Sequence, residues 1–275
     1  MSAEATALRT QRSARTRHRR NVAVWRFVLL VVMLGVWQAL ADARLVDPGV
    51  VASPRAIWEH AAAWAVDGRL WFHSWITIEE TVAGFVIGAL AGIVLGFGIG
   101  RYPAAAEVLD PFIIALYSIP KVALAPLFLV WFGLGLQMKI ILAAVTVVFI
   151  VFFNTLAGVR NVDRDLVDAV WLMGAKPRAI LFKVVVPSAM GWALTGMRIA
   201  IPYALIGAII GELIASNRGI GYLVQSSASQ YDTAGVFAAL TVLTILAIVL
   251  NAIVDAIDRR LSRWKPDTSA SMRGT

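Results

Sequence analysis

Cysteine is absent from this chain and charge is scarce: Asp, Glu, Lys and Arg make up only 15% of its 275 residues. The first absence excludes disulfides, a thiolate nucleophile and Cys-ligated zinc or iron–sulfur sites. The second excludes a soluble enzyme of this length, since an ordinary soluble domain is about 25% charged. Histidine is sparse too, with His18, His60 and His73 scattered, and neither H-E-x-x-H nor G-x-x-x-x-G-K-[ST] occurs. No metal-hydrolase site, phosphate-binding loop or Ser–His pair is therefore legible. What fills the chain is apolar: 59% of residues are hydrophobic and the mean hydropathy is +0.76. That also excludes a disordered chain. The composition is that of an all-α, polytopic membrane protein.

A spanning helix needs about 20 mostly apolar residues. Segments 81–100, 140–159 and 233–254 meet this without a charge. Segments 22–41, 111–135 and 187–211 carry one basic residue each, Arg26, Lys121 and Arg198. About six spans are expected. The first run is too long for a cleavable signal peptide and no Ala-x-Ala site follows it. Arginines crowd positions 9–20, and further Lys and Arg fill 160–183 and 259–273, whereas the alternate connections are poorer in them. Both termini and the fourth loop are thus expected on the cytoplasmic side. The division expected is a basic tail at 1–21, a membrane domain at 22–264 and a C-terminal tail at 265–275. The tail's composition also fits a lipid- or nucleic-acid-binding arm, but the agreement of the other loops favours the topological reading. A short external helix is expected at 54–64 behind an N-cap at Ser53.

Gly84, Gly88, Gly92, Gly96 and Gly100 recur every fourth residue. They make one helix face of bare backbone, suited to close packing against a helix of the same subunit or of a second one. In the third segment Pro120 and Pro126 each remove a backbone donor and are expected to kink or break the helix. Lys121 beside them is an ionisable group at membrane depth. A gate or solute path fits this combination, and a lysine snorkelling from a kinked structural helix fits it equally. Arg198 and Glu212 are further path candidates. They stand fourteen positions apart (198 to 212), about 21 Å along a helix, so each needs another partner such as Lys121 or a second subunit. Structural charge pairing between helices is the plainer reading of both. Asn154 reads as an interhelical hydrogen bond before a solute ligand.

The fourth loop, 160–187, is the most informative stretch. Asp163 is suited to cap a helix whose Leu166, Val167, Val170 and Trp171 share a face, and Gly174 is placed for a left-handed C-terminal turn. Lys176-Pro177 is expected to open a second short helix ending at Pro187. An apolar helix face in a loop fits either a partner's groove or lipid headgroups.

Asp168-Ala169-Val170, Gly174, Val184 and Val186-Pro187 have a spacing that resembles the EAA loop of ABC importer permeases, with Asp for Glu and valines for Ala, Ile and Leu. Pro120-Lys121-Val122-Ala123-Leu124-Ala125-Pro126, Trp131-Phe132-Gly133, Gly211-Glu212 and Gly219-Ile220-Gly221 extend the resemblance toward the nitrate/sulfonate/taurine/bicarbonate branch. One place departs from it: Thr77 and Glu80 stand where family members often carry Ser-x-x-Arg. The resemblance implies a type I importer fold and a permease subunit, not an enzyme. Two copies would sit on a cytosolic ATPase dimer and receive solute from an external binding protein. The helix containing Asp168 would lie in a groove of the ATPase. ATP and Mg would be bound by that partner, and no cofactor by this chain.

A small sulfonate, taurine or nitrate-type anion is the solute class expected, on the strength of Lys121 and Arg198, with Glu80 and Glu212 weighing against it. A heterocyclic vitamin precursor such as a pyrimidine is the alternative. An ion-coupled secondary transporter would fit the spans but not the loop spacing.

Overall fold

The computed structural model describes residues 2–261, with side chains described at 21, 22 and 24–256. The tail expected at 265–275 and the arginine side chains of positions 9–20 lie outside the described residues. Among the described residues all regular structure is helical. Helix α1 runs Ser2–Asp42 and passes through the expected tail boundary without a break. Neither Gly nor Pro precedes Gly35, so nothing local stops it. Helix α2, Pro54–Val66, opens behind Ser53, whose hydroxyl accepts a hydrogen bond from the Ala56 N–H at 3.2 Å. Helix α3, Arg69–Gly100, begins well before the expected span and carries Glu79 and Glu80 within it.

The third segment is not one straight span. Helix α4, Pro103–Ser118, ends at an extended Ile119-Pro120; a 3₁₀ turn at Lys121–Leu124 and helix α5, Ala125–Phe132, follow at 80° to it. Pro120 causes the break, because the residue before a proline is forced out of the helical region. Pro126 does not kink anything: it sits in the first turn of α5, where no N–H is needed.

Helix α6 is Leu136–Arg160, α7 is Arg164–Leu172 and α8 is Pro177–Ile180. The stop expected at Pro187 is absent. A π-turn, Leu181–Val185, carries α8 directly into α9, Val186–Ala215. The Val186 N–H reaches back five residues to Leu181, and this wider turn absorbs the donor that Pro187 lacks. Helices α10, Ile220–Ser229, and α11, Thr233–Leu261, are the last among the described residues. Among the described residues five helices are long and apolar enough to cross a membrane, six when the bent α4–α5 pair counts as one.

Helix α6 is the centre of the packing, with α3 on one side and α9 on the other. The glycine register explains the α3 seam. A Cβ at Gly88 would stand 2.5 Å from the Ala144 carbonyl, one at Gly92 2.6 Å from that of Val148, and one at Gly96 2.6 Å from Thr155 Cβ. Gly84 and Gly100 meet α6 in the same way. The stripe thus packs within the subunit, backbone against backbone. Gly158, Gly196, Gly207 and Gly211 do the same for α6 and α9. Ile201 and Leu205 join Leu246 and Leu250 to seat α11 on α9, while Ile57 and Trp64 of α2 pack with Ile220, Leu223 and Leu243.

Candidate functional site: two ends of one helical bundle

The α7 end is a short amphipathic helix set outside the bundle. Asp163 caps it by accepting the Asp165 N–H at 2.9 Å, and Asp165 adds a carboxylate to the first turn. Its last turn closes with Gly174 N–H on Trp171 O at 2.9 Å and Ala175 N–H on Val170 O at 3.3 Å. Gly174 has φ +80°, the left-handed conformation its place predicts. Val167 and Val170 are half-buried, and with Val159, Ile180 and Leu181 nearby they place one face of α7 toward the bundle. Asp168, Ala169, Gly174 and Pro187 are exposed and Val184 is half-buried. Leu166, Trp171, Leu172 and Met173 are also left exposed, the last at 84%. Beneath α7 is a groove of about 830 Å³ whose lining includes Arg101, Glu107, Arg160, Arg164, Asp168 and Trp171.

The opposite end is built from buried charge. Glu80 on α3 pairs with Lys139 on α6, both side chains almost fully enclosed. Lys139 also donates to Ser216 Oγ at 3.0 Å, just past the end of α9. Glu212, three residues before that end, accepts the Thr77 hydroxyl at 2.7 Å and the Gly221 N–H at 2.6 Å. Thr77 Oγ1 in turn accepts the Ile220 N–H at 2.9 Å, and His73 Nδ1 accepts the Gly219 N–H at 3.0 Å. Side chains of α3 and α9 thus hold three consecutive N–H groups, Gly219 to Gly221, at the start of α10. A Cβ at Gly219, whose φ is +98°, would fall on the Glu212 carboxylate, so this turn needs glycine. One wall of a cavity of about 740 Å³ is formed here; its charged lining is Glu79, Glu80, Lys139 and Arg218.

The expected path residues do not converge on this cavity. Glu212 lies behind its wall, partnered as above rather than by Lys121. Lys121 donates to Ile119 O at 2.9 Å and to Tyr117 O, and its ammonium lies 4.9 Å from the Tyr117 ring and 5.0 Å from that of Phe149. It thereby satisfies the carbonyls that the α4–α5 break leaves open, a favourable place for a cation at a helix C-terminus. Arg198 Nε lies 3.0 Å from Asp255 Oδ1 and ties α9 to α11. Asn154 Nδ2 bonds Ile150 O of its own helix at 2.8 Å, and its Cβ faces Gly196 on α9. Pro120 and Pro126 are exposed at the bend.

Sequence reasoning missed Lys139, Glu80, Thr77 and His73 as one cluster, because Lys139 and His73 stand outside the apolar runs. The usable signal was Glu212 followed at short range by Gly219-x-Gly221, a carboxylate next to a glycine turn that can offer it an N–H.

Residues 84–264 match the family described as "Binding-protein-dependent transport system inner membrane component". The taurine transport system permease protein TauC of Escherichia coli (strain K12) is 32% identical over 86% of this chain and 87% of its own. The putative aliphatic sulfonates transport permease protein SsuC of Bacillus subtilis (strain 168) is 29% identical over 86% of each. A chain of the MetNI methionine ABC transporter in an inward-facing conformation superposes with a TM-score of 0.57, covering 72% of this chain and 96% of that one, at 22% identity; it shares the fold. With its membrane-length helices and this match, the chain belongs to the binding-protein-dependent inner membrane components as a multi-pass ABC importer permease.

Proposed function

We propose that the chain is half of the membrane unit of an ATP-driven importer, paired with a second copy and seated on a separate ATPase dimer that binds ATP and Mg. One observation carries this: α7 is capped at both ends yet leaves Leu166, Trp171, Leu172 and Met173 in solvent. A short helix that exposes so much apolar surface gains stability when a partner's groove covers it. Asp168, Ala169 and Val170 lie on this helix, and Gly174 sets the angle at which it leaves the bundle. In this reading α7 and both termini face the cytoplasm, and the Glu80–Lys139–Glu212 end faces outward toward the binding protein.

The solute proposed is a small sulfonate-type anion. Lys121 and Arg198 no longer support that choice, since each is committed to a structural contact. What supports it is the relatives named for taurine and aliphatic sulfonates, together with the lining of the outward cavity. Glu79 and Arg218 are the exposed charges of that lining outside the Glu80–Lys139 pair, and together they suit a solute bearing both an ammonium and a sulfonate. The test is growth of a deletion strain on single sulfur or nitrogen sources. Loss of growth on taurine or a sulfonate is expected. Normal growth there, with loss on a limiting pyrimidine precursor, would overturn the solute while leaving the permease reading intact. Topology is checked by cysteine labelling: Ser13→Cys and Ser269→Cys should react only from the cytoplasmic side.

A further inference from the structure

The turn from α10 to α11 contains a residue that its backbone does not favour. Tyr231 N–H bonds Ala228 O at 3.1 Å and Asp232 N–H bonds Ser227 O at 2.9 Å, so the helix closes in the same motif that ends α7. The left-handed position that Gly174 fills there is filled here by Tyr231, with φ +56°. An aromatic residue at such a position is strained relative to glycine.

No side-chain contact of Tyr231 among the described residues offsets that strain. The Tyr231 side chain is 94% exposed, and no hydrogen bond or ring contact among the described residues involves it. The turn beneath it is nevertheless firmly held. Asp232 accepts the Gly235 N–H at 3.0 Å and lies 3.2 Å from His60 Nε2 on α2, and Thr233 Oγ1 donates to Gly49 O at 2.7 Å. A phenol is thus projected into solvent from a rigid platform. Beside it is a groove of about 340 Å³ whose lining includes the carboxylates Asp42 and Asp232 and the hydroxyl of Ser53.

We infer that Tyr231 is an anchor for the external solute-binding protein, inserting its ring into a pocket whose rim carries a basic side chain facing the Asp42–Asp232 groove. The inference rests on the orientation in the proposed function, which places this turn outside, and on the family's dependence on a binding protein. Three features favour that occupant over lipid. A tyrosine with only two side-chain torsions on a held backbone loses little entropy on insertion, which is the character of residues that dominate protein interfaces. The carboxylates next to it repel anionic headgroups and attract a basic protein rim. And α7, the exposed apolar helix assigned to the ATPase, lies at the opposite end.

The strain itself supplies the test. Tyr231→Gly removes the ring and relaxes the turn, so a merely structural role predicts no defect. In proteoliposomes containing the full transporter, stimulation of ATP hydrolysis would be titrated with the purified binding protein that supports uptake through this permease. For Tyr231→Gly we expect a thermal midpoint equal to or above that of the native chain, and at least a tenfold higher binding-protein concentration for half-maximal stimulation. Tyr231→Phe should stay within about threefold of the native value. An unchanged half-maximal concentration for Tyr231→Gly would overturn the anchor and leave the permease reading standing. A photo-reactive phenylalanine at 231 should form its adduct with the binding protein. Adducts with lipid or with a second copy of this chain would overturn the anchor alone. An adduct with the ATPase, or a native transporter that no binding protein stimulates, would overturn the orientation as well.

Discussion

Helices α7 and α10 end in the same backbone turn at opposite ends of the molecule, yet one is filled by Gly174 and the other by Tyr231. The glycine makes the α7 turn effortless, and what is displayed there is the helix before it. The tyrosine makes the α10 turn costly, and what is displayed is the turn residue itself. The surroundings differ in the same sense. Around α7 the apolar side chains are exposed and the charges are solvated. Around α10 the helix start is tied to α3 and α9 through Thr77, His73 and Glu212, with the Glu80–Lys139 pair enclosed beside it, and the Tyr231 turn is tied to α2 through Asp232 and His60. A turn type therefore says where a chain reverses, and the residues filling and flanking it say whether that end presents an open helix face or a single residue on a locked base.

The contrast can be broken most directly at Lys139. Lys139→Ala leaves Glu80 and Glu212 buried without their cation, which costs on the order of 3–5 kcal/mol for a broken buried pair. The thermal midpoint of the detergent-solubilised protein should fall sharply, and Glu80→Met in the same chain should recover most of the loss. A fall no larger than that of Asp168→Ala would remove the distinction between the two ends. Next in size is Gly88→Val, which forces a side chain into the Ala144 carbonyl and separates α3 from α6. Overpacking of this kind costs about 1–3 kcal/mol, read by the same midpoint. Gly174→Val comes third, at about 1–2 kcal/mol of local strain. Its stability effect should be small beside its effect on coupling: ATPase association and transport should be lost while all spans remain inserted. The smallest effect belongs to Arg198→Ala. Arg198 and Asp255 are both nearly half exposed, and such pairs contribute about 0–1 kcal/mol. Uptake should stay near the native rate, and a large loss would return Arg198 to the translocation path.

The open end was far more legible in the sequence than the locked one. Asp163 and the spacing to Gly174 are local signals that the structure reproduces. Of the expected face of Leu166, Val167, Val170 and Trp171 it turns Val167 and Val170 toward the bundle and leaves Leu166 and Trp171 exposed. The glycine register also announced a close helix contact, although not that α6 would fill it. Pro120 marked the break between α4 and α5. The locked end depends on pairings that no window contains: Glu80 with Lys139 is 59 positions apart and Thr77 with Glu212 is 135. Hydropathy trims charged residues from a span, so α3 and α6 looked shorter than they are. Burial in partnership is what readmits Glu80 and Lys139 to those helices. The same logic left Lys121 open between path and structure, because its partners are carbonyls exposed only once the helix has broken.

Because the π-turn joins α8 to α9 without a loop, the chain from Pro177 to Ala215 is one continuous 39-residue rod. At 1.5 Å per residue it is about 58 Å long. It begins three residues past Gly174 and contains Glu212 in its last turn. A tilt imposed on α7 would thus be delivered to the Glu212 end mechanically, by a connecting rod and not by a relay of side chains. The one interior proline of α9, Pro202, removes a helical N–H from the rod. Stiffening that point should tighten the link between the two ends, and loosening it should let either end move while the other stays shut.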